Sequence, residues 1–67
     1  MDESLVGLEG YVTVPIPADG GPGEVVLRVR GGTEHFAAWC DSPVAKHARI
    51  LVIEDRSARS VTVEPYP

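Results

Sequence analysis

The sequence contains one cysteine, has no long apolar run, and carries no pattern of a signal peptide. A single cysteine cannot form an intrachain disulfide, so the fold does not depend on one, and a reducing compartment is the favoured setting. No apolar run approaches the roughly 20 residues that a membrane-spanning helix requires. We therefore expect these residues by themselves to form a soluble domain.

Positive charge is scarce and scattered along the chain. Six Lys and Arg residues stand against ten Asp and Glu residues, which gives a formal net charge of -4. Non-specific binding of nucleic acid requires clustered Lys and Arg that release counterions from phosphates. The charge balance therefore argues against a general nucleic-acid-binding protein.

Helical periodicity is also missing, and five short segments of alternating apolar and polar residues take its place. We predict β-strands at residues 5–16, 24–30, 33–40, 48–54 and 60–64. Three successive strands, a connector and a final hairpin are the chain order of a small OB-fold barrel, with an SH3-like barrel as the alternative. A long first strand, bent at Gly7 and Gly10, favours the OB-fold. The prediction is an all-β, OB-fold-like barrel over residues 5–65 with an unstructured tail at residues 1–4.

The alternation also predicts local details of the barrel. Val12, Val14 and Ile16 share one face of the first strand, and Val25, Leu27 and Phe36 point inward from the second and third strands. Gly31 and Gly32 form the tight turn of a hairpin, because both can adopt positive φ. The connector at residues 44–47 could form one helical turn. Residues 50–53 are apolar on both faces, which predicts a central strand.

Catalytic and metal-binding constellations are weak. Cys40 beside His35 or His47 is the pairing that would activate a thiolate, but the alternation places Cys40 inward, where cysteine behaves as a small apolar residue. Cys40, Asp41, His35 and His47 also lack the spacing of a tetrahedral zinc site. We predict no enzyme activity, no cofactor and no metal site.

The best candidate interaction face comprises outward residues of the second and third strands: Arg28, Arg30, His35 and Trp39. In an OB-fold, this face often contacts a ligand. A nucleic-acid base could stack on Trp39 while the arginines hold phosphates. The competing interpretations are that Trp39 covers a barrel opening or that the face contacts a protein, and the single tryptophan favours these two.

The order of glycine and apolar positions also resembles a known family, the C-terminal domain of NfeD-like membrane proteins. The matching positions cover almost the whole chain: Gly7 to Gly10, Pro17, Glu24, Val25, Phe36, Ala38, Val44 to Lys46, Ile50 to Glu54 and Val61 to Val63. Two departures are visible. His47 stands where the family usually has glycine, and Pro15, Pro17 and Pro22 widen the first hairpin.

The resemblance implies an OB-fold domain that follows membrane-spanning helices in a longer protein. It also implies stomatin- or flotillin-type scaffold partners and a role in membrane-protein quality control. We therefore expect a non-enzymatic protein-interaction module that binds such a partner or a second copy of itself. The full-length protein would be membrane-associated through a segment outside this chain, with the domain in the cytoplasm. The alternative function is binding of single-stranded nucleic acid.

Overall fold

The computed structural model describes residues 4–66, so residues 1–3 of the predicted tail and residue 67 lie outside the described part. The described residues contain five β-strands and no helix, as the all-β prediction requires. None of them therefore belongs to a helix able to cross a membrane. The strands are β1 (Glu9–Val14), β2 (Gly23–Val29), β3 (Gly32–Trp39), β4 (Arg49–Ser57) and β5 (Ser60–Pro65).

The five strands close into a barrel in the order β1-β2-β3-β5-β4, with β4 pairing back onto β1. All neighbours are antiparallel except β3 and β5, which run parallel through Ala37–Ser60, Ala38–Val61 and Trp39–Thr62. An up-and-down meander has no parallel pair, so this arrangement is the five-stranded Greek-key closure of the OB-fold. The predicted fold class is confirmed.

One apolar core fills the barrel. The inward residues predicted on the second and third strands are buried, since Val25 and Leu27 are 0% exposed and Phe36 is 6% exposed. No polar side chain is buried among residues 4–66, so the core needs no internal hydrogen-bond network. The remaining core residues are Val12, Ile16, Ala38, Cys40, Val44, Ile50, Val52, Val61 and Val63.

β1 is shorter than predicted and contains a β-bulge. The pairing with β2 shifts register between Val12 and Val14, which adds one residue and changes the face of the residues that follow. Val14 is consequently 49% exposed, so the prediction that it shares a face with Val12 and Ile16 is wrong. Ile16 returns to the core beyond the strand, where it forms a bridge to Val44.

The β2–β3 turn lies one residue earlier than predicted. Arg30 and Gly31 occupy it with φ of 43° and 76°, and Val29 pairs with Gly32. Positive φ at both central residues is the requirement of a type I′ turn. Arg30 is therefore a turn residue and not the last residue of β2.

The connector between β3 and β4 forms a tight turn and not a helical one: Val44 bridges Ile16, and the backbone N–H of Ala48 then donates to the carbonyl of Ala45 at 3.2 Å. His47 has a φ of 78°, the left-handed conformation that glycine would adopt at this position. The backbone N–H of His47 donates to the carbonyl of Val12 at 2.8 Å, so the connector is tied to β1.

β4 has a strand on each side, but its outer face is not covered. Ile50 and Val52 are buried, whereas Ile53 is 46% exposed and Leu51 is half-buried. The barrel wall is one layer thick, so apolar residues on both faces of a strand do not mean burial on both faces. β4 also continues to Ser57 through residues predicted as a turn, with register shifts at Ile53 and Arg56.

Candidate interaction surface

The four residues predicted to form one face lie in three places. Arg28 is opposite Thr33 near the β2–β3 turn, and Arg30 is in the turn itself. His35 is opposite Val26 in the middle of β3. Trp39 lies six residues beyond Thr33, about 20 Å along the strand. The register therefore separates Trp39 from the two arginines.

Trp39 is engaged by residues of the neighbouring strands β5 and β4. The Arg56 guanidinium lies over its ring at 4.3 Å from the centroid. Arg56 also donates to Thr62 Oγ1 at 3.5 Å, and the Thr62 hydroxyl donates to Glu54 Oε1 at 2.9 Å. This set, Trp39, Arg56, Thr62 and Glu54, is called the Trp39 cluster below. Its own arginine occupies the ring face on which a nucleic-acid base would stack.

His35 belongs to a small polar cluster across β1, β2 and β3. Its Nδ1 donates to Glu24 Oε2 at 2.8 Å, and Thr13 Oγ1 donates to the same oxygen at 2.7 Å. The Thr13 hydroxyl, followed by His35, holds the pKa of Glu24 below its usual value of 4.5. The cluster links three strands on the outer surface of the barrel.

An open groove of about 460 Å³ runs over the outer face of β1. We call it the β1 groove. Arg28 lies on its β2 side and Arg49 on its β4 side, with Gly10 between them on β1. A Cβ at Gly10 would overlap the carbonyl oxygen of Val26, so only glycine allows this close approach of β1 and β2. The other lining residues are Gly7, Leu8, Glu9, Tyr11, Val26 and Thr33.

The side chains of the β1 groove differ in the contacts that they make within the barrel. Arg49 lies 3.5 Å from Glu9 Oε1 and over the Tyr66 ring at 5.3 Å. Arg28 makes no ion pair or hydrogen bond with the residues that the structure describes. Tyr11 pairs in register with Arg49 on one side and Val26 on the other, and it is 47% exposed. The groove thus offers an aromatic ring and an uncompensated positive charge.

Comparison with protein families identifies the domain. Residues 9–64 match the family model of the NfeD C-terminal domain. The chain belongs to this family. No curated protein matches it in sequence.

Solved structures show the same fold. The soluble domain of the NfeD protein YuaF from Bacillus subtilis has 27% identity and a TM-score of 0.76, with 90% of this chain and 71% of that one covered. The C-terminal domain of stomatin operon partner protein 1510-C from Pyrococcus horikoshii has 22% identity and a TM-score of 0.65. That match covers 94% of this chain and 89% of the other.

In this NfeD C-terminal domain, the residues weighed as a catalytic or zinc cluster do not converge. Cys40 is 3% exposed, and its Sγ lies 3.7 Å from Ser42 Oγ and 4.0 Å from Asp41 Oδ1. His35 is bound to Glu24 on the outer face. Within residues 4–66, no three His, Cys, Asp or Glu side chains are placed to hold a metal ion.

Sequence reasoning missed Tyr11 and Arg49 as members of the candidate site. Tyr11 was readable as an outward residue of the first strand, because Val12 next to it faces inward. Arg49 could not be assigned, since its place beside Tyr11 depends on the closure of β4 onto β1, almost 40 residues apart in the chain. Local patterns carry no information on that register.

Proposed function

We propose that this NfeD C-terminal domain is a non-enzymatic module that docks a protein partner, or a second copy of itself, at the β1 groove. The observation that carries the proposal is that Tyr11 and Arg28 are both exposed in the groove. Among the described residues, neither side chain has a hydrogen-bond or ion-pair partner. Tyrosine and arginine dominate the binding energy of many protein interfaces. The barrel interior is filled with apolar side chains, so its outer surface is where a partner would bind.

The partner we propose is a stomatin- or flotillin-type membrane protein. The support is that the Pyrococcus horikoshii domain comes from a stomatin operon partner protein. At 22% identity, that likeness shows the fold alone, so the partner needs a direct test. In the same proposal, the full-length protein is membrane-associated and this domain lies in the cytoplasm.

The test is capture of a purified stomatin-type protein from the same organism on the immobilised domain. We expect the Tyr11→Ala, Arg28→Ala double variant to lose at least about tenfold in affinity, because interface hot spots are worth about 2 kcal/mol or more. Lys46→Ala, which removes an exposed cation outside the groove, should capture as well as the wild type. Equal capture by the double variant and the wild type would reject the β1 groove as the docking surface.

The same capture experiment tests the interaction face predicted from the sequence, which comprises Arg28, Arg30, His35 and Trp39. Arg28 lines the β1 groove and stays in the proposal, whereas Trp39 is held by Arg56 and His35 by Glu24. We expect Trp39→Ala to retain most of the capture. The engaged Trp39 ring also argues against binding of single-stranded nucleic acid, which should leave Trp39 fluorescence unchanged in a titration at low salt.

A further inference from the structure

The two arginines of the β1 groove have a defined spacing. Both flank β1, since Arg49 pairs with Tyr11 and Arg28 follows Leu27, the partner of Gly10. In this register, Arg28 lies opposite Glu9, whereas Arg49 lies opposite Tyr11. The two arginines are therefore offset by two residues along β1. With strands about 4.8 Å apart and a rise of about 3.3 Å per residue, their Cα atoms are about 12 Å apart.

The surface between the two arginines is low and partly apolar. The midpoint between them falls at Gly10, which is in register with the buried Leu27 and Ile50 and faces the barrel interior, so on the outer surface the backbone of β1 forms the floor. Tyr11 and the half-buried Leu8 line the groove next to this floor. A side chain entering between the arginines would therefore meet apolar surface.

The charge of the groove is opposite to that of the whole chain. The chain has a net charge of -4, but the lining contains two arginines and one carboxylate, Glu9. Arg28 has no acidic partner among the described residues, and the Arg49–Glu9 pair is long at 3.5 Å and exposed on both sides. An exposed pair of this kind contributes little to stability, so an incoming carboxylate can replace Glu9.

We infer that the β1 groove binds an extended acidic segment of a partner protein, with carboxylates at positions i and i+4 and an apolar side chain at i+2. In an extended chain these three residues share one face, and the outer two are about 13 Å apart, which matches the spacing of Arg28 and Arg49. The apolar residue then lies over Gly10, against Tyr11 and Leu8. The inference deepens the proposed function and rests on it, because it specifies the chemistry of the docked partner.

The direct test uses synthetic peptides and the intact domain. The probe is a fluorescein-labelled peptide with Glu at its third and seventh positions, Leu at its fifth and Ser or Thr elsewhere, measured by fluorescence anisotropy. A control peptide of the same composition has its two Glu side by side, and a second has Lys in place of both. We expect the spaced peptide to bind at least about fivefold more tightly than the adjacent-Glu peptide, and the Lys peptide not to bind. Equal binding of the spaced and adjacent peptides would overturn the inferred spacing.

Variants of the domain test the residue assignment. Removing one charge-assisted contact should weaken the spaced peptide about tenfold in Arg28→Ala or Arg49→Ala. Glu9→Gln should bind it more tightly than wild type, because Arg49 loses its competing carboxylate. Lys46→Ala is the matched control, expected to bind as wild type does, and the thermal midpoint of each variant verifies folding. Unchanged affinity in both arginine variants, or weaker binding in Glu9→Gln, would overturn the inference.

The peptide and partner experiments fail independently. In one outcome, the wild type captures the stomatin-type protein, the Tyr11→Ala, Arg28→Ala double variant does not, and the spaced peptide does not bind. This outcome rejects the acidic motif and keeps the docking surface. Binding of the spaced peptide that depends on Arg28, without capture of the stomatin-type protein, supports the motif and rejects that partner. The two readouts therefore separate the chemistry of the groove from the identity of the partner.

Discussion

The β1 groove and the Trp39 cluster both place an arginine beside an aromatic ring on the outer surface of the barrel. In the Trp39 cluster, Arg56 lies 4.3 Å from the ring centroid and reaches Thr62, which in turn bonds Glu54. In the β1 groove, Arg28 has no partner within the described residues, and Tyr11 is 47% exposed. The arginine and the aromatic ring are therefore bound to residues of the barrel itself in the Trp39 cluster, whereas they are exposed and free to contact a partner in the β1 groove.

The difference arises from backbone geometry. Two register shifts in β4, at Ile53 and Arg56, turn Arg56 toward Trp39 across β5. The β1 groove lies where Gly10 lets β1 approach β2 closely, and its floor is the backbone of β1 between the outward residues Glu9 and Tyr11. Contacts with other residues of the barrel indicate a structural role for the Trp39 cluster, and the lack of such contacts at Arg28 within residues 4–66 indicates a binding role for the β1 groove.

The largest effect is expected from substituting Gly10, where β1 and β2 approach each other beneath the β1 groove. In Gly10→Val, the new Cβ would overlap the Val26 carbonyl oxygen, and Leu27 Cδ2 would be 2.9 Å away. The β1–β2 pairing would have to separate, so we expect a loss of about 3 kcal/mol or more in the free energy of unfolding, measured by urea denaturation.

Gly32→Ala is the matched control for this prediction. A Cβ at Gly32 would have only the Val29 carbonyl oxygen nearby, at 3.9 Å. We expect a change within about 0.5 kcal/mol, as for most surface substitutions. Similar losses in Gly10→Val and Gly32→Ala would mean that close strand approach does not shape the groove.

A smaller effect is expected from the arginine of the Trp39 cluster. Exposed cation–π pairs contribute about 0.5 to 1 kcal/mol, so Arg56→Ala should destabilise the domain by about that amount. Arg28→Ala should change stability by less than about 0.5 kcal/mol, because it removes no contact within the described barrel. Thermal or urea unfolding of the two variants compares the regions directly.

A double-mutant cycle sharpens this prediction. Trp39→Leu and Arg56→Ala, alone and combined, should show a coupling energy of about 0.5 to 1 kcal/mol. Additive effects would show that the Arg56–Trp39 contact contributes nothing, and the contrast between the two regions would then lose its energetic basis.

The sequence was sufficient for the barrel and for the inward residues of β2 and β3. Alternation and turn residues are local signals, so Val25, Leu27 and Phe36 could be placed in the core. The departure at His47 left the turn geometry open, and the structure gives this residue a left-handed φ of 78°. The features that could be predicted depend on residues that are neighbours in the chain.

The candidate site was less accessible to sequence reasoning, because bulges and barrel closure decide it. One added residue at a bulge moved Val14 out of the core, and register shifts in β4 brought Arg56 onto Trp39. The neighbourhood of Arg49 and Tyr11 depends on pairing between distant strands. Outward residues can be recognised locally, but which of them meet cannot.

The smallest effect is expected from Glu24, which lies outside the β1 groove and is hydrogen-bonded by Thr13 and His35. The Thr13 hydroxyl and then His35 lower the pKa of Glu24 below 4.5, so the folded state favours the carboxylate. This stabilisation is therefore present above the unfolded pKa and is lost as pH falls through the lower folded pKa.

Between about pH 6 and about pH 3, wild type should lose its advantage in stability over Glu24→Gln in urea denaturation. Thr13→Val should move the NMR-observed Glu24 pKa upward, since it removes the largest cause of the shift. An advantage that stays constant with pH would show that this cluster, like Arg28, does not stabilise the barrel through its charge.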